Sequence, residues 1–209
     1  LTYLIILRFM YFLKKEDCKY FKKTFNYLDN YQRGINYNLK NEYRWSKNPL
    51  KEWSRCCEYP FLYETIKKCN ARKKNILDFG SGKTFLPILL SSEGHNVTCI
   101  DIDDYSSFYK YYSSNENEII FSSKVDEVEN DFDFIYSISV LEHTKNVIEN
   151  LNLLTHKLKI GGKLILTFDI DVRGDLSISM DKLYNIFNFL GQNFTSEKLK
   201  FSDSNYLLT

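Results

Sequence analysis

The chain has 209 residues, 44% of them hydrophobic and 16% aromatic, which is enough to bury a sizeable core and too apolar for disorder as its main state. Its formal net charge of +1 conceals a division: residues 1–75 carry 17 basic and 7 acidic side chains, and residues 76–209 carry 11 and 20. That division excludes a uniformly basic binder of the histone kind and a uniformly acidic solvating chain, and it suggests two parts with different roles.

The opening run Leu1–Leu13 (LTYLIILRFMYFL) is almost wholly apolar but contains Arg8. It falls short of the roughly 18 to 20 residues that a membrane-spanning helix needs, and it lacks a small-residue cleavage site, so neither a span nor a signal peptide is expected. The run reads as a helix packed on the domain or on a partner. A shallow membrane contact backed by Lys14, Lys15, Lys19, Lys22 and Lys23 is the second reading. Residues 1–70 as a whole look helical and irregular, with aromatic residues interleaved with lysines. The five cysteines (Cys18, Cys56, Cys57, Cys69 and Cys99) are odd in number and show no C-x-x-C spacing. They support neither a disulfide framework nor a zinc site, so a reducing, cytoplasmic setting is the expectation and no metal is implied.

After residue 74 the pattern changes. Short β-type runs at 75–79 (NILDF), 96–101, 118–122, 133–138 and 163–168 alternate with helix candidates near 84–92, 104–113, 144–158 and 179–190. Val147, Ile148, Leu151, Leu154 and Leu158 trace one face of the third helix, and Ser179 and Gly191 bracket the fourth as cap residues. Strands separated by helices predict an α/β fold with a mostly parallel sheet covered on both faces, because a parallel crossover needs a helix to return the chain. Ligands of such sheets bind at the carboxyl ends of the strands, so function is sought in the turns after 79, 101, 122, 138 and 168.

The first of these turns reads Asp78-Phe79-Gly80-Ser81-Gly82-Lys83-Thr84. Its two glycines permit a sharp turn and close backbone approach, and the helix that follows begins with unpaired N–H groups suited to an anion. Two nucleotide motifs fail here. A P-loop requires glycine at 77, which is Leu77, and the dinucleotide fingerprint requires it at 85, which is Phe85.

The pattern that remains resembles class I S-adenosylmethionine-dependent methyltransferases, especially those of quinone biosynthesis and their small-molecule relatives. ILDFGSG (76–82) resembles the family's first motif, and Asp101 matches its ribose-binding acidic residue, 21 positions after Gly80. FDFIYSISVLEH (132–143) resembles the fourth-strand motif, and LKIGGKLILT (158–167) the fifth strand with its preceding turn. The resemblance implies a Rossmann-like sheet formed by residues 71–209, preceded by a helical extension or lid at 1–70. It implies S-adenosylmethionine as cofactor, bound by Asp78, Gly80, Ser81, Gly82, Asp101, Ile102, Ser123 and Ser137. Arg55 or Arg44 would meet the methionine carboxylate, and Tyr59 or Trp45 would cover the pocket. His143, beside Glu142, would act as general base or order its loop.

The departures are Thr84 in place of a third glycine, no Asp directly after the third strand, and a short C-terminal tail, for which an abbreviated final strand pair or a truncated fragment is expected. They motivate a second reading, a cofactor-binding interaction module without catalysis. A nicotinamide-dependent oxidoreductase is disfavoured by Phe85. Ser137-Ile138-Ser139-Val140 replaces the Asn/Asp-Pro-Pro-aromatic motif of base methylation, so DNA is disfavoured as the substrate. A small molecule, sugar, lipid precursor or peptide is the expected acceptor, with RNA or an anionic surface left open by the basic N-terminal part.

Overall fold

The computed structural model describes residues 2–9, 21–35, 49–51, 55–69, 73–114, 118–129, 131–170 and 179–196. Arg44, Trp45 and Trp53 lie outside them. The elements in chain order are β1 (Thr2–Phe9), α1 (Lys22–Gly34), α2 (Arg55–Lys68), β2 (Asn75–Phe79), α3 (Phe85–Ser92), β3 (Asn96–Ile100), α4 (Ser106–Tyr112), β4 (Ile119–Ser122), β5 (Phe132–Ile138), α5 (Val147–Lys157), β6 (Leu158–Ile170), α6 (Met180–Asn193) and β7 (Thr195–Ser196).

The strands form one sheet in the order β4-β3-β2-β5-β6-β1-β7, and every described pairing in it is parallel. This is the Rossmann-like α/β architecture expected from the alternating pattern. Because side chains alternate across a strand, the sheet serves two cores. Ile76, Val97, Cys99, Phe134, Tyr136 and Ile165 face a cluster that includes residues of α1 to α4. Their neighbours Leu77, Ile100, Ile135, Leu164 and Leu166 face a second cluster with Leu151 and Leu154 of α5 and Leu183, Ile186 and Leu190 of α6. Burial on both faces explains why β2 and β5 are near-continuous apolar runs rather than alternating ones.

One element departs from the expected pattern. Within the N-terminal run expected to be helical, Thr2–Phe9 is a strand, paired in parallel with β6 from Thr2↔Lys163 to Phe9↔Ile170 and lying between β6 and β7. A short apolar run rich in β-branched and aromatic residues is ambiguous between helix and strand, and a strand with neighbours on both sides needs that unbroken apolar character. The C-terminal strand, Thr195–Ser196, has two residues and adds to β1.

Among the described residues, α1 and α2 supply the N-terminal helices. Leu28 of α1 and Leu62 and Ile66 of α2 are buried in the first cluster, so these helices share the core of the sheet. The contact is reinforced at its far end, where Tyr63 and Tyr27 both donate to Glu93, just beyond α3, at 2.5 and 3.2 Å.

Candidate active site

The carboxyl ends of β2, β3 and β5 converge on the Gly80–Gly82 turn. Gly80 has φ +81° and Gly82 has φ +53°, both in the left-handed region where a side chain is strained. The turn is tied to β3 by two bonds, with the Gly80 and Ser81 N–H groups donating to the Ile100 carbonyl at 2.8 and 3.0 Å. Space is as restrictive as the dihedral angle. A Cβ on Gly80 would lie 2.4 Å from both γ-methyl carbons of Val140, the second residue beyond β5, so only glycine lets the two strand ends close on each other.

Asp101 follows β3 and bridges the site. One of its carboxylate oxygens accepts the Gly82 N–H at 2.8 Å and the other accepts the Asp103 N–H at 3.2 Å. A carboxylate offers about four acceptor positions, so these two bonds leave capacity for hydroxyl donors. The neighbouring Ile102 is 93% exposed, an apolar side chain presented to solvent at the mouth of the turn. Ser123, after β4, is exposed on the same rim, where the Asp101 N–H donates to the Ser122 carbonyl at 3.4 Å.

Beneath the turn lies a buried polar group of side chains. Asp78 is only 4% exposed and accepts the Tyr136 hydroxyl at 2.9 Å. Burial pushes its carboxyl up to about 8; the Tyr136 bond opposes this shift and the charge of Asp101 adds to it. At neutral pH Asp78 is therefore largely protonated. Tyr109, fully buried on α4, donates to the Gly82 carbonyl at 2.9 Å, and its hydroxyl accepts the Thr84 N–H at 3.5 Å. This hydroxyl holds the turn at the point where Thr84 stands in place of a third glycine.

The other wall comes from α2 and from the turn after β5. Arg55, the first residue of α2, places Nη1 2.5 Å from both Glu58 Oε2 and Ser139 Oγ, and the Ser139 hydroxyl donates to Glu58 Oε1 at 3.2 Å. Ser139 itself has φ +47°, uncommon for a residue with a side chain. One turn of helix further on, Tyr59 is 5% exposed and packs its ring on Phe85 with centroids 5.4 Å apart. It is a core contact between α2 and α3. Leu141–His143 form a short helical turn in which Glu142 is buried and His143 exposed. Lys182 of α6 pins this turn by donating to the carbonyls of Glu142 and Thr144 at 3.2 and 2.9 Å.

Comparison with known proteins identifies the family. A family model described as "Methyltransferase domain" matches residues 53–197, more than half of the chain. The chain belongs to that methyltransferase family. Among curated relatives, a ubiquinone biosynthesis O-methyltransferase of Rickettsia typhi (strain ATCC VR-144 / Wilmington) is 31% identical over 100 residues, covering 46% of this chain and 41% of the relative. A tRNA U34 carboxymethyltransferase of Helicobacter acinonychis (strain Sheeba) is 45% identical over 56 residues, covering 26% of this chain and 21% of the relative. The matches thus span less than half the length of these curated relatives. Among solved structures, the magnesium protoporphyrin IX methyltransferase of Synechocystis PCC 6803 with bound SAM superposes with a TM-score of 0.57 at 16% identity, covering 83% of this chain and 85% of that one. At that identity the likeness is one of fold.

Within the methyltransferase domain, the residues singled out by sequence are not all gathered at one place. Asp78, Gly80, Ser81, Gly82 and Asp101 form one connected group, and Arg55 joins the adjoining wall through Ser139. Ser137 is set apart. It is 1% exposed, its hydroxyl has no hydrogen-bond partner among the described residues, and by strand alternation it shares the α5/α6 face with Ile135. Tyr136, Tyr109, Glu58 and Ser139 were not singled out. Tyr136 had a readable signal, since it lies two residues from Phe134 on the same face of β5. The others become neighbours only through tertiary structure.

Proposed function

We propose that this methyltransferase domain transfers a methyl group from S-adenosylmethionine to an oxygen or nitrogen of a small-molecule acceptor, with a phenolic hydroxyl first in line. The observation that carries this reading is the union of the Gly80–Gly82 turn with Asp101 through the 2.8 Å bond, on the carboxyl side of a parallel sheet. The donor set fits the cofactor. Asp101 retains acceptor positions for ribose hydroxyls, with charge-assisted bonds. The exposed Ile102 offers apolar contact to a base, and Arg55 offers a cation to the methionine carboxylate. Asp78, held near neutrality by burial, becomes a counter-charge when a cation approaches it.

S-adenosylmethionine supplies a methyl group already activated by its sulfonium, so the protein's task is alignment, exclusion of water and removal of the acceptor's proton. His143 is assigned the proton, being exposed on a turn that Lys182 fixes beside the end of β5. Residues 71–209, whose sheet also takes in β1, are assigned to cofactor binding, and α2 of the N-terminal part to the wall beside the site. The 31% identity to an O-methyltransferase of ubiquinone biosynthesis supports a hydroxyl acceptor. The location proposed is the cytoplasm, peripheral to a membrane if an anionic surface is engaged; among the described residues no helix is long and apolar enough to cross a membrane.

The test is transfer of label from S-adenosyl-[methyl-14C]methionine to a panel of catechols, other phenols, amines and bulk tRNA. Labelling of a phenol supports the reading. Labelling of tRNA alone would move the acceptor to RNA, and labelling of none with the active-site residues intact would favour an interaction module.

A further inference from the structure

The contact of Arg55, Glu58 and Ser139 has features that packing alone does not require. α2 is already anchored by Leu62, Ile66 and the Tyr59–Phe85 contact, all buried. A buried ion pair adds little to stability beyond what apolar residues of like volume would give, because desolvation offsets the attraction. Yet Glu58 is 1% exposed and sits on the side of α2 that meets the end of β5. Ser139 adds a second cost, that of holding a side-chain-bearing residue in the left-handed region. The surroundings hold it there. Its N–H donates to the Thr167 hydroxyl at 3.0 Å and is 3.2 Å from the Thr167 carbonyl, so β6 fixes its backbone while Glu58 fixes its hydroxyl.

The result is a rigid chain of contacts from the sheet to a guanidinium: β6 to Ser139, Ser139 to Glu58, and both to Arg55 Nη1. Val140, the next residue, is the one that closes on Gly80, so the residue that receives this guanidinium is the chain neighbour of the one that meets the glycine turn. Arginine loses considerable rotamer entropy when it is immobilised, and its planar fork is useful for a carboxylate only when its orientation is set beforehand.

We propose that Glu58 and Ser139 are positioning residues that hold Arg55 in place as the receptor for the carboxylate of the methyl donor. The proposal rests on the methyl-transfer reading above and assigns the two residues that make its cationic contact specific. Glu58 acts through orientation, because its own charge alone would disfavour a second anion. The strained Ser139 serves as the fixed point to which that orientation is referred.

The test separates positioning from mere stability by comparing two ligands in calorimetric titrations of the full chain: S-adenosylhomocysteine, which carries the carboxylate, and 5′-methylthioadenosine, which lacks it. Glu58→Gln is expected to weaken S-adenosylhomocysteine by roughly tenfold or more, the scale of one lost charge-assisted bond, and 5′-methylthioadenosine by less than twofold. Ser139→Ala, which removes one hydroxyl and preserves the ion pair, is expected to show the same selectivity with a smaller loss, and it serves if Glu58→Gln does not fold. Equal weakening of both ligands, or no weakening of either, overturns the proposal and leaves the cofactor assignment standing. Failure of the unaltered chain to bind either ligand removes both.

Discussion

Replacing Gly80 by alanine tests the closure of the two strand ends on which the site depends. Two effects add at this position. The φ of +81° places a Cβ-bearing residue in the left-handed region, at a cost of about 1–2 kcal/mol. The new Cβ also falls 2.4 Å from two carbons of Val140, well inside contact distance, and such overpacking costs typically 1–3 kcal/mol. Gly80→Ala is therefore expected to destabilise the chain by roughly 2–5 kcal/mol. Gly94 provides the control, since it has φ +91° with nothing within 4 Å of an added Cβ, so Gly94→Ala bears the dihedral cost alone. The double variant Gly80→Ala/Val140→Ala should recover the steric part and not the dihedral part. Urea unfolding of the four proteins measures these differences, and titration with S-adenosylhomocysteine follows the site: affinity falls in Gly80→Ala and is retained in Gly94→Ala. Equal destabilisation by the two alanines, or no recovery on shortening Val140, would refute the steric argument.

Other expectations concern charge and catalysis. Asp78 has a folded-state pKa of about 8, above that of an unfolded aspartate, so its contribution to stability is fully present below about pH 4 and is lost as pH rises toward 8. At 1.36 kcal/mol per unit this is on the order of 5 kcal/mol, and urea midpoints at pH 5 and pH 8 should show a fall in the unaltered chain that Asp78→Asn largely removes. If the two proteins share one pH dependence, Asp78 is not the buried acid described here. For an acceptor whose hydroxyl must be deprotonated, His143→Ala should lower kcat by about 10²–10⁴ with little change in cofactor affinity. Unchanged kcat would leave His143 with an ordering role. Lys182→Ala, which releases the turn bearing His143, should lower kcat by a smaller factor at unchanged cofactor affinity in the same assay.

Much of this arrangement was legible in the amino-acid order because it is local. The run 75–79 coincides with β2, and the boundaries of β3, β4 and α3 follow their apolar runs within a residue; β2, β3 and α3 each bury a near-continuous stretch between turn residues. The glycine turn and Asp101 were readable from spacing because one βαβ unit fixes the distance between them. Thr2–Phe9 was not, because an apolar run of that length suits either secondary structure until a strand such as β6 offers its edge. Glu58 and Ser139 are 81 positions apart and meet only once α2 has docked, so no local pattern announces them. Ser137 illustrates the reverse case. It lies inside the fourth-strand motif, and the two-residue period of the strand turns its side chain to the opposite face, toward α5 and α6.

Calorimetric titration of S-adenosylhomocysteine into the unaltered chain and into Asp101→Ala tests most directly whether the Gly80–Gly82 turn and Asp101 form the cofactor seat. Saturable binding at one site is expected in the first. In the second, affinity should fall at least about a hundredfold through loss of charge-assisted bonds to the ribose. Absence of binding by the unaltered chain, or equal affinity in Asp101→Ala, would contradict the claim.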